Sequence, residues 1–213
     1  MVNMPRHQCL VYKGAPSLQL PALATVIRRK LEENHRCLYL NSPTMVAGMR
    51  SYLAAAGVDV AAETAKASLV MSAERSHLED GKWFRVDRMM QSLEEAIEQA
   101  LKDGYAGLWA TGDMTWEFGS HEGSANLLEY EVRLEEMFQR FPQFAGVCQY
   151  HVDTLPEVVG CQVLATHPSV FVNETLSRFN PHYVRHESLE GYSRNHPERE
   201  QFLGELLGLA GTA

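Results

Sequence analysis

Six short apolar runs punctuate the chain: Gln8–Tyr12, Arg36–Leu40, Ser68–Met71, Gly107–Thr111, Gly146–Tyr150 and Ser169–Val172. Between them apolar residues recur at helical spacing, with Val86, Met89, Met90, Leu93, Ile97 and Leu101 on one face and Leu127, Tyr130, Leu134, Met137 and Phe138 on another. Gly57 and the pair Asp103-Gly104 supply helix-ending punctuation. Strands alternating with helices in this way predict parallel βαβ units, hence an α/β fold with a mostly parallel sheet in a three-layer α/β/α sandwich. The binding crevice of such a sheet lies beyond the carboxyl ends of its strands. That rule selects Lys13-Gly14, Asn41-Ser42, Ser72, the stretch from Gly112 to Phe118, the stretch from Tyr150 to Asp153, and Asn173. Two longer irregular stretches, Ser76–Phe84 and Gly112–Ser124, are expected at or near the same rim.

Composition narrows the function classes. With 213 residues, 45% apolar and 22% charged, the chain fits a single globular domain with a sizeable core. No apolar run reaches the ~18 residues of a membrane helix, and Met1 to His7 lack the apolar core of a signal peptide, so a cytoplasmic protein is expected. A net charge of −8 speaks against direct nucleic-acid binding; the one tight basic cluster, Arg28-Arg29-Lys30, is flanked by Glu32 and Glu33 and reads as a solvated helix face. Cys9, Cys37, Cys148 and Cys161 form no CxxC pair and read as buried thiols. His151 and Asp153 offer two metal-ligand types without a third, so neither a metal nor any other cofactor is expected.

The loop Lys13-Gly14-Ala15-Pro16-Ser17, between a strand and a helix, stands where a phosphate-binding loop normally sits. Such a loop uses several backbone N–H groups, a lysine on the β/γ-phosphates and a hydroxyl on magnesium. Here Pro16 removes one N–H, Lys13 precedes the glycine, and no Gly-Lys-Ser/Thr follows. A degenerate loop without ATP hydrolysis is expected.

The most informative stretch is Leu108 to Gly119, "LWATGDMTWEFG", in which an apolar strand ends at a glycine and Asp113, Met114, Thr115, Trp116 and Glu117 follow. It resembles the Gly-Glu/Asp-Met-Ser/Thr-Trp motif of the MEDS domain, a sensory domain named for methanogens, methylotrophs and the regulator DcmR. "HQCLVYKG" resembles that family's opening His-x-Cys-x-x-Tyr, and "EENHRCLYLNS" its second strand. "LLEYEVRLEEM" resembles its helix with a Tyr-Glu pair, here Tyr130-Glu131. "VCQYHVDTLP" is similar to its Cys-Gln-Tyr strand, and "THPSVFVNE" with "NPHYV" to its closing His-Pro and Asn-Pro-x-Tyr segments. The resemblance runs from His7 to Val184, and aspartate at position 113 replaces the usual glutamate.

The resemblance implies a relative of the KaiC and RecA-like ATPases, with Asp113 near the Walker B carboxylate. It implies a stand-alone sensor or adaptor, a non-catalytic module that binds a small organic compound such as a hydrocarbon derivative, or a signalling partner such as a kinase or a transcription regulator, at the carboxyl edge of the sheet. The expected ligand site takes in Tyr12, Lys13, Gly14, Asp113, Met114, Thr115, Trp116, Glu117, Glu131 and Tyr150. Most of these have a plainer reading: Met114 and Trp116 as core plugs, Asp113 and Glu117 as caps or ion-pair partners, Glu131 as a solvated helix residue, Tyr12 and Tyr150 as sheet-margin tyrosines; His167, outside this set, reads as a satisfied structural histidine. A surviving nucleotide-binding activity, through Lys13, Ser17 and Asp113, is the alternative.

The domain is expected to span residues 1–185, with residues 186–213 a polar linker and an amphipathic helix. That helix carries Phe202, Leu203, Leu206 and Leu207 on one stripe, which must dock on its own domain, on a second copy or on a partner. A homodimer is expected.

Overall fold

A computed structural model of the chain describes residues 5–76, 78–80, 83–115, 126–155, 157–185 and 197–210. In chain order these form β1 (His7–Tyr12), a 3-10 turn (Pro16–Gln19), α1 (Leu20–Glu32), β2 (His35–Leu40), α2 (Pro43–Ala55), α3 (Val60–Ala65) and β3 (Leu69–Ser72). The strands β4 (Leu78–Glu79) and β5 (Trp83–Phe84) follow, then α4 (Val86–Lys102), β6 (Gly107–Asp113), α5 (Leu127–Arg140) and β7 (Phe144–His151). The chain continues through α6 (Glu157–Thr166), β8 (Ser169–Asn173), β9 (Leu176–Phe179) and α7 (Pro197–Ala210).

Seven strands form one sheet in the order β3-β2-β6-β7-β1-β8-β9, parallel except for β9 against β8. Period-two alternation builds two cores on its faces. Cys9 and Val11 of β1, Leu108 of β6 and Phe144 and Cys148 of β7 pack under α4, α5 and α6. Leu10 and Tyr12, Cys37 and Tyr39, Trp109 and Val147 pack under α1 and α2 on the opposite face. The expected three-layer α/β architecture is therefore present. Helix α5 shows the local logic: Leu127, Tyr130, Leu134, Met137 and Phe138 recur every three or four residues and are all buried.

All six expected strands form, most of them longer than the apolar runs. β6 continues through Gly112 and Asp113, where a loop is expected, because Asp113 still pairs with Gln149 of β7. The stretch around residue 80, expected to be irregular, contains the β4–β5 pairing, anchored by buried Leu78 opposite Phe84. β9 has no counterpart among the expected strands.

The C-terminal helix α7 docks on its own domain. Phe202 and Leu206 are buried in the α4–α6 core, and Leu203 lies so close to Gly160 of α6 that a Cβ there would sit 2.8 Å from its Cδ2. Among the described residues, no helix is long and apolar enough to cross a membrane.

Candidate functional site

β1, β6 and β7 run parallel and end at the same edge, so their final residues converge. The Tyr12 hydroxyl donates to Asp113 Oδ2 at 3.2 Å, and the Tyr12 ring stacks on His151 at 5.0 Å. Thr115 Oγ1 accepts from the His151 N–H. Tyr12 and Asp113 are 1% and 5% exposed, so this pair closes the end of the sheet rather than lining an open crevice. Burial, and then the Asp113 charge, push the Tyr12 hydroxyl far above its usual pKa. Lys13 and Gly14 lie outside this seal and are exposed. Gly14 adopts a φ of +78°, and its N–H donates to Asp153 Oδ2 at 2.8 Å. That bond, with His151 and Lys13 nearby, holds the Asp153 carboxyl below its usual range. Trp116 and Glu117 lie outside the described residues.

Met114 turns from this edge into the interior. It lines an apolar cavity of about 30 Å³ between β6–β7 and the helices α4 and α5. The cavity exists because the sheet presents Ala110, Gly112 and Gly146 there, opposite Met89, Leu93 and Leu134. Gly146 is required for a second reason: a Cβ on it would sit 2.5 Å from the Ala110 carbonyl oxygen of the neighbouring strand. Larger depressions occur elsewhere. One, of about 360 Å³, lies between α1 and the β8–β9 edge beside Arg29 and Phe171, away from every expected site residue.

Glu131 and Tyr150 belong to neither of these places. They meet on the α5 side of the sheet in a fully buried polar cluster with His7 and His167. The Tyr150 hydroxyl donates to Glu131 Oε1. Glu131 Oε2 lies 3.2 Å from His7 Nε2 and 3.3 Å from His167 Nε2. His7 Nδ1 reaches Glu135 Oε2 at 2.9 Å, one turn along α5, and Glu135 in turn accepts from the Tyr183 hydroxyl at 3.5 Å. Cys148 Sγ stands 3.9 Å from His7 Nε2.

The electrostatics follow from burial and pairing. Burial alone would lower the His7 pKa, but hydrogen bonds to Glu131 and Glu135 outweigh it and raise it. Burial would raise the Glu131 carboxyl, yet His167, His7 and the Tyr150 hydroxyl hold it below its usual range. His167 is pulled down to about 4, by burial first and by the charge on His7 second. Burial and the Glu131 charge lift the Cys148 thiol well above its normal value.

Reading residues along the chain misses His7, Cys148, His167 and Glu135 as a group. They come from β1, β7, the short link between α6 and β8, and α5. The signals present were the His7-x-Cys9 alternation, which puts both side chains on one face of β1, and Glu131 with Glu135 four apart on one face of α5.

No curated protein matches the chain in a sequence search. A family model does match, over residues 6–168, which takes in the sheet from β1 to the residue before β8 and every member of the cluster except Tyr183. With that span of the sequence covered, the chain belongs to the MEDS family, the methanogen/methylotroph, DcmR sensory domain.

Proposed function

We propose that this chain is a non-catalytic sensory domain whose stimulus is a small hydrocarbon derivative, held in the apolar cavity between β6–β7 and helices α4 and α5. The observation that carries this reading is the cavity's size and lining. At about 30 Å³ it is roughly a tenth of the smallest pockets that hold drug-sized ligands, so only molecules of a few heavy atoms suit it. Its walls are methionine, leucine, phenylalanine and small sheet residues, joined by Tyr130 and Thr111. Met89 and Met114 can re-rotamer to follow a guest. Because Met114 directly follows Asp113, a guest that displaces it pulls on the Tyr12–Asp113 seal at the sheet's edge. That is a route from occupancy to the exposed residues just outside the seal, Lys13 and Gly14. In this reading the chain is a cytoplasmic homodimer that reports to a kinase or transcription regulator, and it descends from a KaiC- or RecA-like ATPase with a degenerate phosphate loop.

Nucleotide binding is disfavoured by Asp153. Its carboxylate takes the Gly14 N–H, a donor that a phosphate would need, and places negative charge where phosphate would approach.

The test is a thermal-shift panel of one- to four-carbon alcohols, chloroalkanes and ketones, with ATP–Mg²⁺ as comparator. A ligand at a hundred times its Kd stabilises by about 2.7 kcal/mol, which for a chain of this size raises Tm by roughly 5–11 °C. Leu134→Phe, which fills the cavity, should abolish the shift. No shift with any small organic overturns the reading, and saturable ATP–Mg²⁺ binding lost in Lys13→Ala replaces it with the nucleotide one.

A further inference from the structure

We propose that His7, Glu131, Cys148 and His167 form a binding site for one divalent transition-metal ion of the zinc class. Their four ligand atoms, all from buried side chains, lie within 4.8 Å of one another. Three of the separations are 3.2, 3.3 and 3.9 Å. Bonds of about 2.1 Å to nitrogen or oxygen and about 2.3 Å to sulfur, arranged tetrahedrally, give ligand–ligand edges of roughly 3.3–3.7 Å. Those three edges are close to tetrahedral lengths, and with no separation beyond 4.8 Å an ion at the centre needs a contraction of at most about 1 Å along the remaining edges.

Three independent features point to a metal rather than to a self-contained hydrogen-bond network. The first is His167. Its Nδ1 lies 2.8 Å from the Val163 carbonyl, which can only accept, so Nδ1 carries the proton. The Nε2 lone pair of the neutral ring then faces the Glu131 carboxylate at 3.3 Å, and this buried nitrogen makes no hydrogen bond. A lone pair aimed at an anion in a dry interior is unfavourable; a cation between them turns both into ligands.

The second feature is the outer shell. Metal-bound histidines characteristically donate their other nitrogen to a carboxylate or a backbone carbonyl. His7 Nδ1 meets Glu135, and His167 Nδ1 meets Val163. The free oxygen of Glu131 is held by the Tyr150 hydroxyl, and Glu135 is itself steadied by Tyr183. Three of the four ligands are therefore oriented by a second group. The third feature is the donor set: two imidazoles, one thiol and one carboxylate suit zinc or a neighbouring divalent ion better than calcium or magnesium, which take all-oxygen shells.

All four protein ligands are in place and buried, which is the pattern of a closed site that contributes folding energy rather than one that activates water. Cys148 also lines the apolar cavity. The metal site does not depend on that cavity being occupied.

The experiment uses the full chain, purified from zinc-supplemented cells, then exchanged with Co²⁺ after chelation. Expected are one equivalent of metal per chain by elemental analysis, visible bands of tetrahedral Co²⁺, and a thiolate-to-cobalt charge-transfer band. Cys148→Ser should remove the charge-transfer band. Glu135→Gln, which keeps all four ligands, should weaken Zn²⁺ retention against a competing chelator by about 10- to 100-fold. A folded wild-type protein that retains no stoichiometric Zn²⁺ or Co²⁺ overturns the proposal without any variant. So does a cobalt spectrum that Cys148→Ser leaves unchanged.

Discussion

Asn180 opens the Asn-Pro-x-Tyr segment, and its side chain can be reasoned through quantitatively. Its Nδ2 donates to the carbonyls of Leu164 at 2.5 Å and His167 at 2.7 Å, while Oδ1 accepts from the His182 N–H at 3.0 Å. The Leu164 carbonyl is one of the last in α6 and has no partner within the helix. Asn180 therefore caps α6 and fixes the backbone of His167 in one step. At 7% exposure, water cannot replace it in Asn180→Ala. Two buried carbonyls would lose their donor and one N–H its acceptor. At about 1 kcal/mol for each lost bond, the expected cost is about 3 kcal/mol. For 213 residues that corresponds to a Tm lower by roughly 6–12 °C. Urea unfolding followed by far-UV circular dichroism gives the free energy, and a scanning melt gives the Tm. A loss below about 1 kcal/mol with an unchanged m-value would show that the segment Asn180 to Val184 does not hold α6, and the reasoning would fall.

Three further outcomes are expected. Gly146→Ala should cost roughly 3 kcal/mol or more in urea unfolding, because the new Cβ meets the Ala110 carbonyl oxygen at 2.5 Å and β6 and β7 must separate. Tyr12→Phe removes a buried donor to Asp113 and should cost about 1–3 kcal/mol by the same measurement, whereas near-neutrality would mean the seal contributes nothing. Arg36 holds the Asp103 carboxyl below its usual range, so the stabilisation is present above the unfolded pKa of about 4 and is lost as pH falls through the folded value. Melting curves should therefore fall less steeply below about pH 5 in Asp103→Asn than in wild type.

Much of the architecture was legible because its main strands are buried on both faces. Cys9, Leu10, Val11 and Tyr12 are all apolar whichever way they point, and such a run stands out from amphipathic neighbours. β9 was not legible: its Leu176 and Phe179 are exposed, and four residues on an edge carry no periodic signal. β4 and β5, two residues each, are shorter than any pattern can register. The candidate site divides in the same way. Tyr12, Asp113 and Thr115 follow from the rule that strand ends converge. Glu131 was singled out, but a glutamate in mid-helix reads as solvated until β1 and β7 pair in register, His7 beside Gly146, and bring His7 and Tyr150 over it. The cavity is an absence of volume at Ala110, Gly112 and Gly146, which along the chain are only small strand residues.

The sensory reading is tested most directly by NMR of the protein carrying ¹³C-methyl methionine, titrated with a one- to four-carbon chloroalkane or alcohol. Met89 and Met114 line the cavity, while Met49 is equally buried on the opposite face of the sheet and serves as the internal control. Saturable shifts of the Met89 and Met114 methyls, with Met49 unmoved and the response lost in Leu134→Phe, are expected. Methyl resonances that stay fixed throughout the series, or that shift equally at Met49, would contradict a ligand site between β6–β7 and the helices α4 and α5.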